Sequence, residues 1–140
     1  MKGDMAVINH NDVSVIVVHE GGELAGIISR FLQHEGYKVI EAPSPDEAIA
    51  LGRVDVEIDL LLCNLAASKG LELGLKMRTV RSKVPIVLIT DSDDAEKAAF
   101  AHGFISLRQP LLFAELISTL TMAIEKPSPT QTGQRNRDSR

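Results

Sequence analysis

Asn64 stands near the end of the apolar run Ile58–Leu65 (IDLLLCNL). A continuous aliphatic run of that length reads as a strand buried on both faces. Open α/β sheets place their chemistry at the carboxyl ends of their strands, so Asn64 occupies a position where a side chain could react or bind. A carboxylate there could accept a phosphoryl group as an acyl phosphate, or lend charge to a metal ion. An amide does neither.

Taken one at a time, the polar residues near strand ends have ordinary readings. Asn commonly forms the turn that follows a strand. His19-Glu20 follow the β-branched run Val13–Val18 (VSVIVV), where His19 alone reads as a solvated loop histidine. Thr90 alone reads as a strand residue, and Gln109 alone says nothing. The spacing of His19 and Glu20 to His10 or His102 matches no zinc pattern, so no metal site is expected. Asp91, Asp93 and Asp94 cluster where a helix should begin, and complement its dipole. Asp59 lies at the opposite end of its strand from Asn64 and should not replace it. Cys63 reads as a small buried hydrophobe.

Composition sets the scaffold that must position these residues. The 140-residue chain is 44% hydrophobic but only 4% aromatic, with no Trp, so the core must be aliphatic. A single cysteine excludes an internal disulfide and fits a reducing, cytoplasmic compartment. No apolar run approaches the ~20 residues of a membrane span. The first dozen residues lack a signal peptide's apolar stretch. Charge is uneven. Residues 126–140 carry Lys126, Arg135, Arg137 and Arg140 against Asp138, while the remainder is strongly acidic. So acidic a domain is a poor candidate for binding nucleic acid, which needs a basic face.

The elements follow from pattern. After the first strand, Leu24, Ile27, Ile28, Phe31 and Leu32 recur at helical spacing, and Gly36 should stop that helix. Tyr37–Ala42 is a second short strand. Ser44 caps a second helix, with Pro45 at its first position and Glu47 placed to close a capping box, and the helix runs to about Gly52. After the third strand, Ala66–Gly70 reads as a small-residue loop leading to a third helix through Leu71, Leu75 and Met77. Pro85–Thr90 (PIVLIT) is a fourth strand. Ser92 or Asp93 caps a fourth helix that ends near His102-Gly103. Phe104–Leu107 is a fifth strand, and Pro110 precedes a last helix with Leu112, Leu116 and Leu120 along one face, ending near Glu125. Five strand–helix units with short connections predict a parallel sheet with helices on both faces. Residues 1–12 are expected to be a flexible segment, 13–125 the domain, and 126–140 a disordered polar tail.

The order of landmarks from Val13 to Glu125 resembles the receiver domain of bacterial two-component response regulators. The resemblance rests on two polar residues after the first strand, DLLLCNL, VPIVLIT, and Leu107-Arg108-Gln109-Pro110 before the last helix. It implies a flavodoxin-like sheet in the order 2-1-3-4-5. It also assigns the site. The family's acidic pair, which holds Mg²⁺ with the phosphoacceptor Asp, corresponds to His19-Glu20, and the acceptor itself to Asn64. Mg²⁺ prefers hard oxygen ligands, so a single remaining carboxylate should bind it very weakly. The family's Lys corresponds to Gln109, which could exchange neutral amide hydrogen bonds with Asn64. Thr90 matches the retained switch Thr. The switch-aromatic position corresponds to Ser106, with Phe104 a possible substitute. The loop after Asn64 is about two residues short and lacks the family's Met-Pro.

The resemblance therefore implies a degenerate phosphorylation pocket made of His19, Glu20, Asn64, Thr90 and Gln109, without metal, cofactor or enzymatic activity. The expected function is a stand-alone pseudo-receiver that acts through a signalling partner or as a homodimer. The contact face would be the fourth helix, fifth strand and fifth helix, within about Glu96–Glu125, with no attached output domain and no role at a membrane or on nucleic acid. Two alternatives remain open. One is a flavodoxin-like cofactor-binding domain, disfavoured because Glu20 would repel a flavin phosphate and aromatics are scarce. The other is a divergent receiver phosphorylated elsewhere, at His19 or Thr90.

Overall fold

The computed structural model describes residues 13–21, 23–54 and 57–125. The expected flexible start, the polar tail, His10 and the side chain of Leu24 lie outside the described residues. Ten elements alternate without exception: β1 (Ser14–His19), α1 (Glu23–His34), β2 (Lys38–Ala42), α2 (Pro45–Arg53), β3 (Leu60–Asn64), α3 (Ala67–Val80), β4 (Ile86–Thr90), α4 (Asp93–Ala101), β5 (Ile105–Arg108) and α5 (Phe113–Glu125). All strand pairs are parallel, in the order β2-β1-β3-β4-β5.

The strands form where β-branched and aliphatic residues run together, and alternation sends their side chains to two cores. Ile16, Val18, Leu61, Cys63 and Leu88 pack under α2, α3 and α4 with Ala48, Leu73, Met77 and Ala99. Val15, Val17, Leu60, Leu62 and Leu107 pack under α1 and α5 with Ile28, Leu32, Leu116 and Leu120. Asp59 accepts a hydrogen bond from the Ser14 N–H at 2.8 Å, which fixes the start of β3 against β1 at the edge opposite Asn64.

Local signals set most boundaries. The Ser44 hydroxyl accepts the Glu47 N–H at 3.2 Å, with Pro45 in the first helical position. The expected capping box closes only in part, because the Glu47 carboxylate meets the Ser44 hydroxyl, at 3.5 Å, rather than its N–H. Ser92, not Asp93, caps α4, accepting the Ala95 N–H at 3.1 Å. Gly36 ends α1 and Gly103 follows α4, both with positive φ (101° and 79°), where L residues are strained.

Two expectations are corrected, the start of α3 and the place of Leu112. The small-residue segment after Asn64 is not a loop through Gly70, since α3 begins at Ala67. Ala66 offers no capping side chain, so nothing in the sequence marks that start. Leu112 precedes α5 and is 63% exposed, so the buried stripe is Leu116, Leu120 and Ala123. Ile27 and Leu75 have helical spacing but lie on flanks, 40% and 38% exposed.

Packing between α3 and β5 depends on a missing side chain. A Cβ at Gly74 would lie 2.9 Å from Cζ of Phe104, whose ring is buried and covered by the Arg78 guanidinium at 4.0 Å. A Cβ at Gly52 would lie 2.8 Å from Met77 Sδ, which a flexible thioether can relieve. Gly74→Ala is expected to lower stability by about 1–2 kcal/mol, overpacking outweighing its better helix propensity. Gly52→Ala should be near neutral, and urea denaturation of both variants checks the contrast. Burial raises the Cys63 thiol from 9.0 to about 12. Between those values the unfolded chain loses a proton that the folded chain keeps, so this group makes stability fall as pH rises. The denaturation midpoint of Cys63→Ala should therefore decline less steeply with pH over that window than that of the wild type.

Candidate functional site at the carboxyl edge of the sheet

The ladder register brings the expected site residues to one edge. His19 pairs with Asn64 across β1 and β3, and Thr90 with Arg108 across β4 and β5. The Gln109 N–H donates to the Thr90 carbonyl at 2.8 Å, extending the β4–β5 pairing by one residue. Asn64 is half-buried at the end of β3. The Gln109–Pro110 peptide bond is cis.

His19 is not a solvated loop residue. It ends β1, and its side chain is 12% exposed. Its Nδ1 accepts the Gly21 N–H at 2.9 Å, so the proton of the neutral ring sits on Nε2. Nε2 lies 3.5 Å from Glu41 Oε1 on β2, too long for a good hydrogen bond. The ring thus leans toward β2, away from β3 and Asn64.

Glu20 retains a carboxylate, but Lys69 takes its charge. Lys69 Nζ donates to Glu20 Oε2 at 2.5 Å, and this contact holds the lysine ammonium above its ordinary pKa. Lys69 is in the first turn of α3, so the pair ties the β1–α1 turn to the helix that follows Asn64. Both side chains are substantially exposed, so the pair matters for charge balance more than for stability. Lys69 was not singled out from the sequence. The missing signal was the start of α3, which turns an apparent loop residue into one aimed back across the edge.

The other expected residues divide. Thr90 is 4% exposed, and its hydroxyl donates to the Leu107 carbonyl at 3.5 Å. Gln109 is exposed, and no hydrogen bond joins it to Asn64, so the expected amide exchange does not occur. Two neutral amides gain little by leaving water for each other. Ser106 is half-buried on β5 opposite Leu88. Phe104 does not substitute for an aromatic there, because its ring is committed to Gly74 and Arg78 at the far end of β5. Arg108 has a role that sequence spacing hid. It donates to Asp93 at 2.8 Å and Glu96 at 3.2 Å, pinning the first turns of α4 to β5, and these carboxylates raise its pKa further. Asp93 therefore does more than offset a helix dipole. Among the described residues no cluster of three His, Cys, Asp or Glu could hold a metal ion, and His102 caps the far end of α4.

Two cavities flank the sheet ends. One of about 290 Å³ opens at the carboxyl edge between the first turns of α3 and α4, over Cys63, Leu88 and Thr90. A larger one, of about 570 Å³, lies at the opposite edge between Asp59, the α3–β4 connection and the end of α5. Only the first adjoins the strand ends where such sheets do their chemistry.

No protein-family model matches the chain. The chain is similar to the transcriptional regulatory protein ResD of Bacillus subtilis (strain 168), with 29% identity over 96 residues. That match covers 67% of this chain and spans only 38% of ResD. Among solved structures it is similar to the chemotaxis protein CheY4 of Vibrio cholerae (23% identity, TM-score 0.66, 79% of this chain and 98% of that one). It is also similar to a CheY-like response regulator receiver domain protein of Methanospirillum hungatei (18% identity, TM-score 0.70, 81% and 94%). The strand order, the five strand–helix units and the near-complete coverage of these structures agree: this chain has the fold of response-regulator receiver domains.

Proposed function

We propose that the chain is a receiver-like domain of two-component signalling that forms no aspartyl phosphate and acts, without enzymatic chemistry, by protein–protein contact. The observation that carries this reading is Asn64 at the end of β3, beside a Glu20 carboxylate already paired with Lys69. An amide offers no oxygen nucleophile that could become an acyl phosphate. An imidazole at His19 instead of a carboxylate, and a Glu20 already paired with Lys69, leave little negative charge for the Mg²⁺ that such chemistry uses. Phosphorylation at the remaining hydroxyl is disfavoured by geometry, since Thr90 is 4% exposed and directed toward β5.

The contact face in this reading is α4–β5–α5. Phe100 is 83% exposed and follows Asp93 by seven residues and Glu96 by four, so it shares their flank of α4. That flank faces β5, because Asp93 and Glu96 bind Arg108. On α5, Phe113 stacks on Phe31 of α1 at 4.1 Å, which turns one flank toward α1. The other flank carries Glu115, Thr119 and Met122 toward the β5 edge, with Met122 55% exposed. Among the described residues β5 pairs with β4 alone, so no described strand covers its outer edge. Two large exposed apolar side chains thus flank an open strand edge, a pattern that suits a protein partner or a second copy.

Incubation with acetyl phosphate or a partner histidine kinase is expected to leave no acid-labile, hydroxylamine-sensitive label, and such a label would contradict the reading. Crosslinking to a second copy or to a signalling partner should be lost in Phe100→Glu and retained in Val54→Glu. Both positions are exposed, so both variants should keep the wild-type melting temperature.

A further inference from the structure

We propose that the cavity between the first turns of α3 and α4 binds a small aliphatic amine, its apolar body against Leu71 and Ala98 above a buried floor of Cys63 and Leu88, and its ammonium on Asp94. Three observations carry this. The cavity, at about 290 Å³, is close to the lower limit of small-molecule pockets, and its lining is mostly apolar with few polar groups, as such pockets require. Its floor is rigid: Cys63, Leu88 and Thr90 come from adjacent strands and are each 5% exposed or less. Its walls owe their space to small side chains. A Cβ on Gly70 would meet only Leu88, at 3.9 Å, and α4 presents Ala95 and Ala98.

Charge selects the ligand class. Asp94 is the one formally charged residue among those lining the cavity, and no basic residue lines it. Its neighbours are already engaged, since Arg108 holds Asp93 and Glu96 on the opposite flank of α4. Asp94 lies four residues before Ala98, so it shares the cavity-facing flank and sits at the rim, exposed. The amino end of α3 has no side-chain cap and no acid in its first turn, which by itself would favour an anion. The amino end of α4 adds a second such half-charge, but the acids around it, Asp91, Asp93, Asp94 and Glu96 against Arg108 and Lys97, leave the rim negative, and the nearby ammonium of Lys69 is already held by Glu20.

The inference rests on the cavity and not on the signalling reading, so a chain that proved to be phosphorylated could still bind the amine. Titration of the full chain with hexylamine, hexanoate and hexanol, followed by amide chemical shifts, tests it. Hexylamine should shift the amides of 67–71 and 94–99 and bind most tightly. Asp94→Asn should weaken it about tenfold, the worth of one charge-assisted hydrogen bond, to the level of hexanol. Ala98→Leu should fill the cavity and abolish binding with the melting temperature preserved or raised, while Phe100→Ala on the other flank should bind normally. Hexanoate or hexanol binding as tightly as hexylamine, shifts confined to other surfaces, or no saturable shift with any probe would overturn the proposal.

Discussion

The ion pair between Glu20 and Lys69 across the carboxyl edge is the interaction on which the character of this site depends. Three chain segments converge there: the β1–α1 turn, the start of α3 and the end of β5. The first two supply opposite charges that meet in an ion pair, and the third supplies Arg108, which meets Asp93 and Glu96 of α4. His19 Nδ1 accepts a backbone N–H, Glu20 is met by Lys69, and Asn64 at the end of β3 carries no charge. The edge is drawn together by contacts within the chain. Its closest contacts are a protein ion pair and backbone hydrogen bonds, such as that from Gln109 to Thr90.

Helix α4 links this edge to the rest of the molecule. It buries only Ala95 and Ala99, and so contributes little apolar surface to its core. One flank carries exposed ion pairs to Arg108, and the other borders a cavity. Elements held by few buried contacts are those that shift most readily. In this domain α4 is the element whose balance a ligand on one flank, or a protein on the other, would most easily change.

The architecture was legible because its signals are local. Continuous aliphatic runs marked strands buried on both faces, Ser44-Pro45 and Ser92 marked helix starts, and Gly36 and Gly103 marked helix ends. The start of α3 was not legible, because Ala66 carries no cap and small residues look alike in a loop and in a first helical turn. That single omission hid Lys69. The pairs Lys69–Glu20 and Arg108–Asp93 are tertiary contacts across 49 and 15 residues, which no local spacing announces. Leu112 was grouped with Leu116 and Leu120 on one face of the last helix because spacing alone does not mark where that helix starts. The expected Asn64–Gln109 contact failed for a different reason: complementary amides do not need each other where water is available.

The central claim is that the chain itself neutralises the site where a receiver would hold its metal, and calorimetric titration with Mg²⁺ tests it most directly. The wild type should show no saturable heat. N64D should bind weakly, because Lys69 still competes for Glu20, and N64D combined with Lys69→Ala should bind more tightly than either single change. Saturable Mg²⁺ binding by the wild type, or a double variant no better than N64D, would contradict the account.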